Sequence, residues 1–244
     1  MDIKTLNIPS EVKQEIEDFA AEVERLNAGK VGEEDFKRFR LQQGIYGQRQ
    51  DDVQMIRMKI PAGKMTADQM NCLADFADNY SNGILHVTTR QDIQFHYVKL
   101  DNVAKGLQDF ANHDLTTREA CGNTVRNVTA CHKAGTCAEE LFDVTPYANA
   151  ASNHLLRHHM TQNLPRKFKI SFGGCGGDCG LSAINDIGAN AVVRREDGKD
   201  VRGFRIIIGG GLGSSPHSAK QLLDSCRRVA VTRVEKPTCR INAS

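Results

Sequence analysis

The first forty residues carry apolar side chains at helical spacing within a largely charged background. Between residues 10 and 28 the apolar positions fall on one helical face, which predicts an amphipathic helix. Ser10 is a suitable N-cap for this helix, and Gly29 is a suitable residue to end it. A second, strongly charged segment, residues 33–43, is predicted to be helical too.

The next stretch switches between strand-like alternation and helical spacing. The predicted elements are, in order, a strand at 53–60 that Pro61 stops, a helix from a Thr66 cap to Tyr80, strands at 83–89 and 92–100, and a helix through Phe110. In the first of these helices, the side chains predicted to face inward are Met70, Leu73, Ala74 and Ala77. The β-α-β-β-α order predicts an α+β half-domain of ferredoxin-like type.

From about residue 116 the hydrophobic pattern becomes irregular. Residues 116–137 are rich in Thr, Asn, Gly and Cys, and this composition predicts a loop with one short strand. The elements predicted beyond it are a helix at 146–157 and strands at 166–172, 187–194 and 203–210. The chain is therefore predicted to have four parts: a helical segment at 1–45, a half-domain at 46–115, an α/β domain at 116–220 and an atypical tail at 221–244.

Composition narrows the class of protein without identifying a function. The chain has 244 residues, of which 40% are hydrophobic and 25% charged, with a net charge of +2. This balance gives no argument for a nucleic-acid or membrane partner. There is no run of about 18 apolar residues, and the N-terminus lacks the apolar core of a secretory signal. We therefore predict a cytoplasmic protein.

Four of the eight cysteines form two closely spaced pairs. Cys131 and Cys137 make a C-x5-C pair, and Cys175 and Cys179 make a C-x3-C pair within the glycine-rich stretch SFGGCGGDCG. Four thiolates are the usual ligands of a 4Fe-4S cluster, and glycines let backbone N–H groups approach the sulfides. A zinc site and a set of unrelated reduced cysteines remain alternatives. Cys72 lies in a helical pattern and is predicted to be a small buried hydrophobe.

A second group of candidate residues is basic or polar. It comprises Arg90, Gln94 and His96 in TTRQDIQFH, Arg126 in CGNTVRNV, and Arg166, Lys167 and Lys169 in LPRKFK. Residues two apart on a strand share a face, so Lys167 and Lys169 are predicted to point the same way, as are Arg90, Gln94 and His96 if their strand is regular. Paired cations suit an anionic ligand, although solvated surface charge is the alternative interpretation for each of them.

Four motifs in order carry a specific resemblance. TTRQDIQFH, GNTVRNVTAC, LPRKFK and GFRIIIGGGLG make the chain similar, over roughly residues 40–220, to the nitrite/sulfite reductase family. The resemblance implies an oxidoreductase with siroheme and a 4Fe-4S cluster that reduces sulfite to sulfide or nitrite to ammonia. It also implies a ferredoxin-like half-domain followed by an α/β siroheme/4Fe-4S domain, with ferredoxin or a flavoprotein as electron donor.

The resemblance also implies roles for individual residues. Arg90, Arg126, Lys167 and Lys169 would bind the oxyanion and the siroheme carboxylates, with Gln94, His96 and Arg166 as further cofactor-binding residues. The metal ligands would be Cys131, Cys137, Cys175 and Cys179. Cys179 would also bridge the cluster to the siroheme iron.

The chain departs from the family pattern in its length. Family members contain two pseudo-equivalent halves, and this chain resembles the N-terminal half or a truncated member. Its four cysteines either hold a cluster or are remnants of the duplicated half. The alternatives to a complete reductase are an inactive half-domain that pairs with a second half-chain and a siroheme-free iron–sulfur electron-transfer module.

Overall fold

The computed structural model of the chain describes residues 8–226. The chain divides into two compact units. Unit 1 consists of the residues up to Ile60 together with Lys64–Thr124, and unit 2 consists of Pro61–Gly63 and the residues from Val125 onward. The mixture of helix and sheet in both units confirms the predicted α+β class.

Unit 1 contains four strands and four helices within its described residues. They are α1 (Ser10–Asn27), α2 (Glu33–Gln42), β1 (Ile45–Gly47), β2 (Val53–Met58), α3 (Ala67–Tyr80), β3 (His86–Val87), β4 (Ile93–Lys99) and α4 (Leu100–Asn112). The strands form an antiparallel sheet in the order β1-β2-β4-β3. The β2-α3-β3-β4-α4 sequence confirms the predicted order, and β1 is an element that the hydrophobic pattern did not predict.

The core of unit 1 is built from large apolar side chains of its sheet and helices. Phe76 of α3 packs its ring 5.0 Å from that of Phe95 on β4 and 4.7 Å from that of Phe110 on α4, measured between centroids. Edge-on aromatic pairs of this kind add to the stabilisation from burial. This cluster fixes two helices against one face of the sheet.

Three details of the predicted helices are wrong, and one is confirmed. Pro9, rather than Ser10, is the N-cap of α1. In α3, Met70 is 48% exposed and Ala74 is exposed as well, because the buried face is centred on Cys72, Leu73, Phe76 and Ala77. Thr66 does cap α3, in a capping box with Gln69.

Unit 2 is built on a mixed five-stranded sheet. Its elements are β5 (Thr129–Ala130), α5 (Thr145–Leu155), β6 (Ile170–Gly173), β7 (Ile187–Glu196), β8 (Lys199–Ile208) and β9 (Lys220–Cys226). The strand order is β5-β6-β7-β8-β9, with β5, β6 and β7 parallel and the last three antiparallel. No element was predicted where β9 lies. The side chain of Cys226 and all of Cys239 are outside the described residues.

Small side chains fill much of the core of unit 2. Ala148 and Ala151 of α5 and Ala189 and Ala191 of β7 are all buried there, beside an aromatic cluster around Phe204. Alanines let the helix approach the sheet closely, since they project little beyond the backbone. Within residues 8–226, no helix is both long and apolar enough to cross a membrane.

Candidate functional site

The two cysteine pairs follow neighbouring parallel strands of unit 2. Cys131 comes directly after β5, and Cys175 comes two residues after Gly173, the last residue of β6. Because the carboxyl ends of parallel strands meet at one edge of the sheet, both pairs begin at the same edge. The backbone N–H of Cys131 donates to the carbonyl of Phe172 at 2.9 Å, which extends the ladder to the first cysteine.

Two loops leave this edge and remain in contact. The first cysteine loop comprises residues 131–142 and the second comprises residues 174–181. The N–H of Leu141 donates to the carbonyl of Gly174 at 2.8 Å. Within the first loop, the carboxylate of Glu140 accepts from the Gly135 N–H at 2.9 Å, and the Glu140 N–H donates to the Cys137 carbonyl at 3.2 Å. These bonds place the C-x5-C segment alongside the C-x3-C segment.

Both thiols of the second loop lie beside Gly177. A Cβ placed on Gly177 would stand 3.7 Å from the Sγ of Cys175 and 3.7 Å from the Sγ of Cys179. Because residue 177 is glycine, it places no side-chain atom against either sulfur. Cys131 and Cys175 are buried, Cys137 is half-buried and Cys179 is exposed.

The donor set at this edge matches the chemistry of an iron–sulfur cluster. Four thiols on two adjoining loops, with glycine between two of them, are the ligand type that a 4Fe-4S cluster requires. Among residues 8–226, no three Cys, His, Asp or Glu side chains come close enough together to hold a single metal ion. The ligand roles of the four cysteines therefore stay a prediction.

The basic residues of unit 2 precede the same two strands. Val125 pairs with Phe168 in parallel, and the N–H of Arg126 donates to the Phe168 carbonyl at 2.8 Å. Arg126 and the stretch from Arg166 to Lys169 thus lie on adjoining extended segments. Arg166 and Lys167 are exposed, whereas Arg126 and Lys169 are half-buried.

The strand predicted over residues 166–172 begins later than expected. Regular pairing of β6 starts at Ile170, and Phe168 makes only an isolated bridge before it. The backbone N–H of Lys169 instead donates to the Asp186 carboxylate at 2.8 Å. A common direction for the Lys167 and Lys169 side chains therefore remains a prediction.

In unit 1, the three polar candidates divide between a strand and the turn before it. Gln94 and His96 alternate along β4 with the buried Ile93 and Phe95, so they share one face. Arg90 lies outside the strand, in the turn that precedes it, so the predicted common strand face does not include this residue. The strands predicted at 83–89 and 92–100 leave residues 90 and 91 between them, and Gln91 in this turn has a φ of 60°.

The side chains on this face of β4 have defined surroundings. The amide oxygen of Gln94 accepts from the Arg57 guanidinium, at 3.0 Å from Nε and 2.5 Å from Nη2. Burial lowers the pKa of His96, and the nearby His86 and Arg57 lower it further. His96 is therefore biased towards its neutral form, in which one ring nitrogen can accept a hydrogen bond.

Several residues near these candidates were not singled out from the sequence. Arg57 interrupts the apolar run of β2 and contacts Gln94, and its guanidinium lies 5.3 Å from the centroid of the Tyr46 ring. Asn190 interrupts the apolar run of β7, and its side-chain oxygen lies 2.6 Å from the position of a Cβ on Gly173. That oxygen is buried and has no hydrogen-bond partner among the described residues. Both residues are polar side chains within otherwise apolar strands, and this feature of the sequence could have identified them.

Family models match both units of the chain. The model described as the nitrite/sulfite reductase ferredoxin-like half domain matches residues 46–113. The model described as the nitrite and sulphite reductase 4Fe-4S domain matches residues 121–238, which include all four paired cysteines.

Curated relatives give the same family. The assimilatory ferredoxin-dependent nitrite reductase of Haloferax mediterranei is 33% identical over 224 residues, which cover 86% of this chain and 38% of that protein. The ferredoxin–nitrite reductase of Leptolyngbya laminosa is 32% identical, over 82% of this chain and 39% of that protein. The sulfite reductase (NADPH) hemoprotein beta-component of Anoxybacillus flavithermus is 34% identical, over 65% of this chain and 32% of that protein. The chain thus spans less than two fifths of the length of these relatives.

Solved structures share the fold. The Mycobacterium tuberculosis NirA protein matches with a TM-score of 0.76 and 23% identity, over 91% of this chain and 44% of that one. Dissimilatory sulfite reductase I matches with a TM-score of 0.57 and 12% identity, over 70% of this chain and 57% of that one. The resemblance carried by the sequence motifs is confirmed, and the chain belongs to the nitrite and sulfite reductase family.

Proposed function

We propose that this chain takes part in the reduction of sulfite or nitrite, with a 4Fe-4S cluster bound at the cysteine loops and siroheme beside it. The observation that carries the proposal is the pair of hydrogen-bonded cysteine loops at one sheet edge, within the family's 4Fe-4S domain. The ligands would be Cys131, Cys137, Cys175 and Cys179. Cys179, the exposed one, would be the thiolate shared with the siroheme iron.

The side chains of this chain would contribute positive charge and protons to the reaction. When bound, the cluster and siroheme would deliver electrons one at a time to the anion. Arg126, Lys167 and Lys169 would bind the anion and offset its charge, because each of these side chains carries a positive charge and several N–H donors. Each oxygen that leaves as water consumes protons, and a lysine can supply them from solvent. The proposed roles of Arg90, Gln94, His96 and Arg166 in binding siroheme and anion rest on the resemblance.

The names of similar proteins support a proposal for the electron donor. Two of the similar proteins are named as ferredoxin-dependent and one as NADPH-dependent. We accordingly propose ferredoxin or a flavoprotein as the donor to this chain. The cytoplasmic location stays a prediction.

Anaerobic purification tests the cluster directly. Full-length chain reconstituted with iron and sulfide, then supplied with siroheme, should show iron, acid-labile sulfide, a haem-like absorption band and an EPR signal on reduction. Cys175→Ser should abolish the iron signal, whereas Cys72→Ala, which removes a buried thiol of unit 1, should retain it. A colourless, iron-free wild-type protein would overturn the proposal.

We propose a second candidate beside the first. A second half-chain would complete the site, or the chain would hold the cluster without siroheme as an electron-transfer module. Iron and EPR signals without a haem-like band would support the electron-transfer module. A haem-like band that develops only after a second half-chain is added would support the paired arrangement.

A further inference from the structure

Burial does not position Cys179, the last thiol of the second cysteine loop. Residues 174–181 include four glycines, and a glycine-rich backbone loses more entropy on ordering than any other. Cys175 is buried at the start of the loop, whereas Cys179 is exposed. Packing therefore holds one thiol of this pair and contributes little to the position of the other.

Asp178 ties together the residues on both sides of Cys179. Its Oδ1 accepts from the N–H of Ser182 at 2.8 Å and from the Ser182 hydroxyl, and its Oδ2 accepts from the N–H of Ala183 at 3.3 Å. Its backbone carbonyl accepts from the N–H of Leu181 at 2.8 Å. The φ of Asp178 is 47°, a left-handed conformation that aspartate tolerates better than most residues.

The residues that Asp178 holds are themselves anchored to the sheet. Asn190 of β7 donates from Nδ2 to the Ser182 hydroxyl at 2.9 Å. Asn185 donates from Nδ2 to the hydroxyl of Ser171 on β6 at 3.2 Å and to the Leu181 carbonyl at 2.7 Å. Ser171 and Ser182 are fully buried. A continuous polar network therefore runs from strands β6 and β7 to the residue next to Cys179.

We propose that Asp178 is a positioning residue that fixes the Cys179 thiol for cluster binding and that its negative charge lowers the reduction potential of the bound cluster. The inference rests on the proposed function. The hydrogen bonds set the position, because they close the backbone around Cys179. The charge sets the potential, since an added electron is disfavoured by a carboxylate nearby.

Substitutions at Asp178 separate these two effects. Asp178→Ala removes both acceptors and the charge, whereas Asp178→Asn removes the charge and the longer bond from the Ala183 N–H and keeps the oxygen acceptor for Ser182. In the reconstituted full-length chain, Asp178→Ala should lose iron to a chelator about tenfold faster than wild type, as for other residues that orient metal ligands. Asp178→Asn should hold its iron nearly as well as wild type, and its cluster should have a more positive potential by spectroelectrochemical titration. A purely structural role would leave that potential unchanged.

Asp197 supplies the matched control. It has a φ of 50°, is exposed, and lies in the turn between β7 and β8. Asp197→Ala should match wild type in both iron release and potential. If Asp178→Ala does not fold, Ser182→Ala removes the two hydrogen bonds of the Ser182 hydroxyl, to Asp178 and from Asn190, and keeps the backbone bond to Asp178. It should give a smaller acceleration of iron release.

The metal-free chain distinguishes failure of this inference from failure of the proposed function. Hydrogen exchange at the Ser182 and Ala183 amides, which donate to the Asp178 carboxylate, should be faster in Asp178→Ala than in wild type, with or without iron. A wild-type chain that binds no iron would overturn the proposed function and the role in cluster binding, while exchange would still report whether Asp178 orders the loop. Iron release and amide exchange at wild-type rates in Asp178→Ala would overturn the inference alone.

Discussion

Unit 1 and unit 2 bury different kinds of side chain. Unit 1 packs phenylalanine, isoleucine and leucine around Phe76 and also buries the Lys59–Glu119 ion pair, whose side chains are 1% and 0% exposed. The core of unit 2 is rich in alanine, and its backbone segments approach so closely that a Cβ on Gly180 would lie 2.7 Å from the Phe172 carbonyl oxygen. Large apolar side chains therefore dominate the packing of unit 1, whereas backbone contacts and the polar side-chain network around Asp178 hold the cysteine edge of unit 2.

This difference has a consequence for cofactor dependence. Metal binding contributes to folding where the ligands lie on segments with little packing of their own. The second cysteine loop, with its four glycines and the exposed Cys179, is such a segment, whereas the core of unit 1 is a packed cluster of large apolar side chains. We therefore expect cluster removal to increase amide exchange in unit 2 and to leave unit 1 unchanged.

The largest expected effect in unit 1 comes from breaking its buried ion pair. Lys59 Nζ lies 3.2 Å from Glu119 Oε2. Lys59→Met leaves the carboxylate buried without this partner, and removing one member of such a pair costs about 3–5 kcal/mol. Denaturant unfolding followed by tyrosine fluorescence measures this loss, since unit 1 contains Tyr46, Tyr80 and Tyr97 and the chain has no tryptophan.

A double variant is the control for this prediction. Lys59→Met with Glu119→Leu removes both charges and should recover most of the stability, because apolar replacements of buried pairs are often neutral or stabilising. A loss below about 1 kcal/mol in the single variant, as is usual for exposed pairs, would contradict the claim that unit 1 relies on this contact.

The next effect concerns the pH dependence of unit 1. Burial raises the pKa of Asp92 from 3.8 to about 6, although the Ile60 N–H and the charges of Arg57, Arg90 and Lys59 oppose the rise. A carboxyl with a raised folded pKa contributes stability that is complete below pH 3.8 and is lost as the pH rises through about 6. The difference between the folded and unfolded pKa values corresponds to about 3 kcal/mol of unfolding free energy.

Asp92→Asn isolates this contribution, because the amide stays neutral. Relative to wild type, the unfolding free energy of the variant should rise by about 2.5 kcal/mol between pH 4 and pH 7.5. Denaturant titrations at both pH values measure the change, and Asp75→Asn, at an exposed position of α3, is the control. A constant difference between Asp92→Asn and wild type across this range would refute the assignment.

The sequence predicted unit 1 better than the cysteine edge, for physical reasons. Hydrophobic periodicity reports which face of an element is buried, so α1, α3 and β4 could be predicted from it. The predicted buried face of α3 was still wrong at Met70 and Ala74, because Cys72 and Phe76 face the core in their place.

At the candidate site, the spacing in the sequence identified the cysteines. It did not identify the strand pairing and hydrogen bonds that hold their loops in place. The adjacency of the two loops depends on the parallel pairing of β5 with β6, which the C-x5-C and C-x3-C spacings do not encode. Asp178, Ser182 and Asn190 are joined by hydrogen bonds between a loop, a 3₁₀ turn and a strand. Such a network has no periodicity, so no pattern in the sequence indicates it.

A smaller effect is expected from adding one methyl group to the second cysteine loop. Gly180→Ala would place a Cβ against the Phe172 backbone, which must shift, and we expect a cost of about 1–3 kcal/mol. Gly176→Ala is the matched control, since a Cβ there meets nothing within 4 Å. Amide exchange in β6 and iron retention should change in the first variant and not in the second. Equal behaviour of the two variants would show that backbone approach does not determine the position of this loop.

The smallest effect tests whether local capping matters in a unit held by its core. The Thr66 hydroxyl accepts from the Gln69 N–H at 3.2 Å, and the Gln69 side chain accepts from the Thr66 N–H at 3.0 Å. Thr66→Ala leaves one helix donor without this partner and should cost about 1 kcal/mol, whereas Thr66→Ser should cost little. Denaturant unfolding measures both variants. Because α3 supplies Phe76 to the core, a loss of several kcal/mol in Thr66→Ala would mean that the cap also positions the aromatic cluster. The side-chain packing of unit 1 would then depend on the backbone contacts at the start of α3.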